Sequence, residues 1–442
     1  MRGNGKKRWY VMLDRVRKVS TVQPMVLHLS ATDGRGGAAR AAYRIHEALS
    51  QGSVESRMLV ARKDTTDQSV ESVYEPSELW RYWRRARIDL FPLAWRRKYR
   101  GVTRSLNWLN NKRTFSRCIE LKPDLINLHW IGSGFISIKE IARLPCPLIW
   151  TIHDMWSFSG IMHYENQSQT VVAEKSCSEN EFGRVTNPLI DKIIRKLKIY
   201  LWRQRSWNVI APSSWIAKKA RSSIVFRNAN IRVIPYPLDL SAFRPLDQIV
   251  SRNALEIPQH KFVICFAADT GVKDPRKGFD LFMKILWEIP PRVRSAIECV
   301  ILGCEGPPSD VSLPVATTWV GKSDDNQKIA ACYSAADVTL LTSRIDNLPQ
   351  VGTEAQACGC PVIAYDVGGL ADVVEHGATG FLVPAFDAVS VAHYVQTFVN
   401  DPNKLATFGW RARERAEQVW SYEAVATQYA DFCREVLGTQ QQ

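Results

Sequence analysis

Short apolar runs alternate with segments of helical hydrophobic spacing along almost the whole chain. The first run, "MVLHLS" from Met25 to Ser30, leads into "ATDGRGG" and then the alanine-rich "AARAAYRIHEALSQG", closed by Gly52. Strand, glycine loop and helix in that order make a βα unit. The alternation continues through "ESRMLVAR", a basic helical region, "DLINLHW", "PLIWTIHD", a polar insertion near residues 165–186, "WNVIAPS" and "IRVIPYPLD". The proline-rich "PYPLDLSAFRPLDQ" reads as a linker. A second series follows: "KFVICFAAD", "GFDLFMKILWEI", "SAIECVILG", "NQKIAACYSAA", "DVTLLTS", a helix from about Val351, and "PVIAYD". Short apolar strands separated by helices imply parallel sheets covered on both faces, so the pattern predicts two doubly wound α/β domains in tandem. The last segment, "SYEAVATQYADFCREVL", places Tyr422, Val425, Ala426, Tyr429, Phe432, Cys433 and Val436 on one apolar stripe that needs a surface to pack on.

At 442 residues the chain exceeds what one hydrophobic core organises. The pattern divides it into an extension over 1–24, a first domain over 25–238, a second over 239–420 and a helical segment over 421–442 that packs back on the first domain. The basic start, "MRGNGKKRWYVMLDRVRKVS", lacks the apolar centre of a secretory signal and reads as an extension or a mis-chosen start. No apolar run approaches the roughly 18 residues of a spanning helix. The ten cysteines are scattered without CxxC pairs. Cys265, Cys299 and Cys304 lie in apolar strand-like runs, as buried thiols of a reducing cytoplasm do.

Net charge is +14, and its distribution matters more than its sum. From Arg81 to Arg117 twelve Lys and Arg face one acid, Asp89, among Trp83, Phe91, Trp95, Tyr99 and Trp108; a second basic stretch, Lys192 to Arg221, contains no acid. Cations mixed with aromatics suit an anionic membrane surface. Nucleic acid is the other polyanion they suit, and a solvated helix face is the simplest reading.

Four features fall where ligands bind in open α/β sheets, beyond the carboxyl ends of the strands. Gly34, Gly36 and Gly37 follow the first strand, where glycines admit close backbone approach and the next helix offers free N–H groups to an anion. Glycine for turn geometry alone is the alternative. Arg276 and Lys277, in "KDPRKGFD", precede a helix, where two cations oppose the macrodipole unless a phosphate, or solvent, relieves them. His129 and His153 end equivalent strands and are either structural or turned into a shared cleft. Asp346 and Glu354 flank an apolar, Gly- and Pro-punctuated stretch, and a buried carboxylate is costly without a partner. Glu354 at a helix start suits the dipole and a vicinal diol, while Asp346 precedes an "NLP" turn whose amides can face a ligand.

These motifs resemble the retaining glycosyltransferase family 4 over nearly the whole chain from about residue 25, and most specifically in the C-terminal half. There the family's pattern of an acid, seven residues and a Glu appears as Asp346 and Glu354, followed by "AQACGCPVIAYDVGGLADVVEHGATGFLV". The resemblance implies the GT-B architecture: two Rossmann-like domains facing across a cleft, the first for the acceptor and the second for a nucleotide sugar. By it, Glu354 holds the donor ribose and Asp346 contacts the transferred sugar. The stretch Asn347, Leu348, Pro349, Gln350 and Val351 lines sugar and diphosphate with its amides. Lys277, with Arg276, neutralises the diphosphate, Gly36 and Gly37 face it from the other domain, His129 sits beside the reacting sugar, and His153 is a further cleft residue. One departure is "FAADTGVKDPRKG", with no arginine before Arg276.

In the N-terminal half "THDMWSFSGIMHY" resembles enzymes of bacterial exopolysaccharide assembly, including the colanic-acid type. Their insertion here retains only Cys177, too few thiols for structural zinc. "SDD" at Ser323 to Asp325 reads as a helix cap rather than a metal motif. The expectation is therefore a metal-free hexosyltransferase without cofactor, moving a hexose from a nucleotide diphosphate sugar to a lipid-linked saccharide acceptor in surface polysaccharide synthesis. It would be cytoplasmic, peripheral on the inner face of the membrane, and would not bind nucleic acid. The competing readings are a non-catalytic sugar-nucleotide binder and a basic nucleic-acid-binding protein.

Overall fold

The computed structural model describes residues 23–52, 54–74, 104–164, 188–268, 272, 274–307 and 311–438. Residues 1–22 of the extension, most of the first basic aromatic stretch and the insertion carrying Cys177 lie outside the described residues.

Two parallel sheets organise the chain. The first contains β1 (Met25–Thr32), β2 (Glu55–Arg62), β3 (Val70–Ser72), β4 (Leu125–Leu128), β5 (Leu148–Thr151), β6 (Asn208–Ala211) and β7 (Asn230–Val233), in the order β3-β2-β1-β4-β5-β6-β7. The second contains β8 (Phe262–Ala267), β9 (Ile297–Leu302), β10 (Ala316–Gly321), β11 (Val338–Leu341), β12 (Val362–Tyr365) and β13 (Gly380–Val383), in the order β10-β9-β8-β11-β12-β13. Every residue of β4, β5, β9, β11 and β12 is buried, which is why these strands read as mainly apolar runs, with Asn127, Thr151, Glu298 and Thr339 as buried polar exceptions. The pattern did not single out β3, β10 and β13. All three are sheet edges, where a strand needs no continuous apolar run, and "VES" and "ATTWVG" carry polar residues accordingly.

In each sheet the strand order reverses beside the first strand, between β1 and β4 and between β8 and β11. Loops leaving such a pair diverge and open a crevice. The helices bordering these crevices are α1 (Gly37–Ser50), α2 (Phe279–Glu288) and α3 (Gln350–Ala357). The terminal helix, α4 (Tyr422–Gly438), buries Val425, Tyr429, Phe432, Cys433 and Val436. It lies on the N-terminal lobe: the Tyr422 hydroxyl donates to Glu47 of α1 at 3.0 Å and Asn230 of β7 donates to Glu435 at 2.7 Å.

The second basic stretch is not a uniform charged surface. It is divided among a helix (Pro188–Trp202), β6 and a helix (Ser214–Arg221), and Lys198 is fully buried. Its ammonium donates to the carbonyls of Trp156, Ser159 and Gly160 and lies 3.7 Å from the Trp156 ring centroid. Arg205 likewise donates to the carbonyls of Ala142 and Leu144. These cations close loops of the N-terminal lobe. Cys265 and Cys299 are buried free thiols, but Cys304 lies beyond the end of β9 and is only half-buried.

Candidate active site in the interlobe cleft

The C-terminal rim is two loops stitched together. Asp274 caps a single 3-10 turn, Pro275–Lys277, which ends at Gly278 in the left-handed region at φ 67°. A Cβ at Gly278 would stand 2.0 Å from the Thr342 carbonyl oxygen, so the close approach requires glycine. The Thr342 hydroxyl bonds the carbonyls of Lys277 and Gly278 at 3.0 and 2.9 Å, and the Arg344 amide donates to the Arg276 carbonyl at 2.7 Å. This stitching brings Lys277 Nζ to 2.5 Å from Asp346 Oδ2. Arg276 instead forks onto Asp274 at 3.1 and 2.6 Å and covers the Tyr164 ring at 5.0 Å. Burial pushes the Asp274 carboxyl up, but its bond to Arg276 outweighs this and holds it below the usual range. The expected conflict between two cations and the dipole of α2 is thus already met by Asp274 and Asp346.

The segment after Asp346 contributes more to the lobe junction than expected. The Asn347 amide side chain donates to the carbonyls of Ile152 and His153 at 3.0 Å each and accepts the Ser213 hydroxyl at 2.7 Å. Leu348 is core. A Cβ on Gly369 would lie 1.5 Å from the Asn347 carbonyl oxygen, so the "GG" after β12 lets this turn settle against it. Pro349 is the N-cap of α3, and Val351 packs on the core. Gln350 reaches the other lobe: its Nε2 donates to the Gly37 carbonyl at 2.6 Å and its Oε1 accepts from Arg44 Nη1 at 2.7 Å. Gly36, at φ 90°, is the N-cap of α1 and faces open space.

Glu354 corrects the sequence reading. It is the fifth residue of α3, not its start, so the helix dipole does not account for its charge. Its partners do: Arg44 Nη2 donates to Oε1 at 2.8 Å, and the Tyr333 hydroxyl donates to Oε2 at 3.3 Å. Arg44 and Glu354 are each 7% exposed, making this a buried ion pair between the lobes. Each carboxylate oxygen keeps a further lone pair for a ligand hydroxyl.

On the N-terminal rim, the backbone of His153 meets the Asn347 side chain, and His129 stands one strand further back. The direct contact with the C-terminal loop is made by His153. The two rings are bonded, Nδ1 of His129 to Nε2 of His153 at 3.0 Å, and His153 Nδ1 meets the Tyr236 hydroxyl at 2.8 Å. Burial pushes His153 down to about 4 and His129 well below the ordinary histidine value. Burial raises Tyr236, and so do its neighbours Tyr164, Tyr429, Asp346 and Asp154.

Sequence reasoning missed Arg44, Tyr236, Tyr164 and Tyr333. Arg44 had a signal: it interrupts the buried face of α1 formed by Ala41, Ile45 and Ala48, and an arginine on an apolar stripe needs a buried partner. The tyrosines had none, because a lone tyrosine in a loop, or on the buried face of a helix as Tyr333 is, reads as packing. Among the described residues no group of three or more His, Cys, Asp or Glu is arranged to hold a metal.

Comparison with known proteins matches the family "Glycosyltransferase Family 4" over residues 35–242 and "Glycosyl transferases group 1" over 247–415. A D-inositol 3-phosphate glycosyltransferase of Thermobispora bispora is 30% identical over 332 residues, covering 71% of this chain and 71% of that protein. D-inositol 3-phosphate glycosyltransferase 2 of Catenulispora acidiphila is 33% identical over 205 residues, 43% of this chain. There the chain spans only about half of the relative's length, 47%. Among solved structures, sucrose-phosphate synthase of Thermosynechococcus elongatus matches with a TM-score of 0.67 at 21% identity, over 95% of this chain and 100% of that one. Anabaena Alr3699/HepE in complex with UDP-glucose matches with a TM-score of 0.63 at 17% identity, over 93% and 99%. These likenesses agree with the two-sheet GT-B architecture. With its two domain matches in the same order as its two sheets, and a relative aligned over most of both chains, this chain belongs to the group 1 glycosyltransferases.

Proposed function

We propose that the cleft binds a nucleoside diphosphate sugar and transfers its hexose, with retention of anomeric configuration, to a hydroxyl of a saccharide acceptor. The observations that support this reading are Lys277 paired with Asp346 on the C-terminal rim, and α3 reaching the other lobe through Glu354 to Arg44 and through Gln350 to the Gly37 carbonyl. The neighbour bound to UDP-glucose supports a donor of that class.

In this reading Lys277 leaves Asp346 for the diphosphate, with Arg276 behind it, and the freed Asp346 takes hydroxyls of the transferred sugar. Glu354 accepts the ribose hydroxyls while Arg44 keeps it ionised and oriented. The backbone of Asn347 to Val351 and the start of α1 at Gly36 and Gly37 line sugar and phosphates. As the glycosidic bond breaks, the sugar becomes oxocarbenium-like and negative charge grows on the departing diphosphate. Cations and amides already aimed at that charge supply the acceleration, each worth about 2.7–4 kcal/mol. A leaving phosphate oxygen takes the acceptor's proton on the same face, so no separate base and no metal is required. Closure of the lobes excludes water from the sugar.

The acceptor reading is a lipid-linked saccharide of surface polysaccharide synthesis, met at the inner membrane face by the basic aromatic region. Among the described residues no helix is long and apolar enough to cross a membrane. A second acceptor is favoured by the relatives' names: a phosphorylated inositol. Incubating the protein with a panel of nucleoside diphosphate sugars, with a saccharide or an inositol phosphate, and following nucleotide release and the anomer formed tests all three elements. Product from neither acceptor, with every donor, contradicts the reading. Vesicle sedimentation with and without anionic lipid tests the membrane part, and binding indifferent to lipid charge removes it.

A further inference from the structure

A buried path of imidazoles crosses the N-terminal lobe, and the roles given to Lys277, Asp346 and Glu354 do not use it. His28 is central in β1, His129 follows β4 and His153 follows β5, three neighbouring strands of one sheet. Their rings lie side by side with centroids 5.1 and 5.2 Å apart. His28 Nδ1 is 2.8 Å from His129 Nε2, His129 Nδ1 is 3.0 Å from His153 Nε2, and His153 Nδ1 is 2.8 Å from the Tyr236 hydroxyl. All four side chains belong to buried residues.

A neutral imidazole has one N–H and one bare nitrogen. Each bond between two such rings uses one of each, so the three bonds must all point the same way. A second proton on His129 or His153 would break the series, and one on His28 would leave a buried N–H unpaired. Burial first, and for His28 and His129 the neighbouring imidazoles as well, opposes that proton. Two directions remain, and one end chooses between them. At the first end, His28 Nε2 has no partner among the described residues. The nearby His46 ring, 5.8 Å away, has its own nitrogens on Ser56 and Ser69. A bare acceptor is tolerated in a protein interior more readily than an unpaired N–H, which places the proton of His28 on Nδ1. At the far end the Tyr236 hydroxyl meets His153 Nδ1 and can accept as well as donate, so it admits the direction that the first end selects, running from His28 to Tyr236.

We propose that His28, His129 and His153 are positioning residues, each carrying its proton on Nδ1, whose one-way chain occupies the Tyr236 oxygen as acceptor and leaves the Tyr236 hydroxyl to donate to an oxygen of the bound sugar or diphosphate. Tyr236, between Pro235 and Pro237 where the chain leaves the first lobe, is then a donor fixed in direction before any ligand arrives. The part concerning the sugar rests on the donor binding proposed above; the tautomer assignment does not.

Long-range proton–nitrogen correlation spectra of the full chain labelled with 15N-histidine separate protonated from bare ring nitrogens. The expected result is three of the eight histidines, identified by His28→Asn, His129→Asn and His153→Asn, with Nδ1 protonated, Nε2 bare and no titration between pH 5 and 8. Protons on Nε2 of His129 or His153, or titration in that interval, would overturn the chain without reference to any substrate. In turnover with the sugar nucleotide, measured below the unfolding range of a variant that leaves the His153 N–H without its acceptor, Tyr236→Phe should lower kcat at least tenfold with little change in donor KM. An unchanged kcat would overturn the donor role of Tyr236. Absence of nucleotide release by the wild type overturns the functional reading instead and leaves the tautomer result standing.

Discussion

On the C-terminal side of the cleft Lys277, Asp346, Arg276 and Asp274 stand as charged pairs, whereas the N-terminal side offers His28, His129, His153 and Tyr236, held neutral by burial. The difference follows water. Lys277 and Asp346 keep side-chain exposures of 25% and 15%, so their charges are affordable and a diphosphate can exchange for either partner. The imidazoles have almost no exposure and can contribute only directed hydrogen bonds. One rim is built to change partners and the other to stay as it is. The exception is Arg44 of α1, which carries a buried charge across the gap to Glu354.

The largest expected effect comes from that exception. Arg44→Ala leaves Glu354 buried without its cation and should cost about 3–5 kcal/mol in denaturant unfolding. A loss under about 0.5 kcal/mol would mean the pair is not buried in solution, and the contrast between the rims would fail. Lys277→Ala acts on the exchangeable rim. It should lower turnover by about 2.7–4 kcal/mol of barrier, 100- to 1,000-fold in nucleotide release, while stability changes by only about 0–1 kcal/mol because the pair is partly exposed.

The neutral rim predicts a pH dependence of fixed sign. Unfolded histidine titrates near 6.5, and the folded values lie below it, at about 4 for His153. Below pH 6.5 the unfolded chain therefore binds protons that the native state refuses. Stability is complete above that pH and falls as the pH drops toward 4, by about 1.4 kcal/mol per unit for each such histidine. Urea midpoints at pH 7 and 5 measure this; an unchanged midpoint would contradict neutral burial.

Asn347→Ala removes three hydrogen bonds that join the rims and should cost about 1–3 kcal/mol, read by the same unfolding experiment. Glu435→Gln, at the exposed contact of α4 with Arg232 and Asn230, should cost no more than about 1 kcal/mol.

The central strands were legible because burial on both faces forces mainly apolar runs. Edge strands such as "VES" carry no such demand and were not. Lys277, Asp346 and Glu354 were legible because charge beside apolar sequence needs a partner, although spacing could not say which. The partner of Glu354 proved to be 310 positions away in sequence. His129 and His153 were visible as strand ends, but their order in the cleft depends on the turn at Asn347, which reaches the His153 carbonyl. His28 was hidden inside the first strand, where an imidazole looks like any polar residue in an apolar run. Tyr236 needed the fold to bring it to His153.

The most direct measurement is the thermal midpoint of the wild type, Lys277→Ala and Glu354→Gln chains across a panel of nucleoside diphosphate sugars. A ligand at 100 times its Kd stabilises by about 2.7 kcal/mol. The account predicts a saturable rise for the wild type with at least one sugar nucleotide and a rise that is largely lost in both variants. No rise with any of them, or an equal rise in all three chains, would contradict a donor site between Lys277 and Glu354.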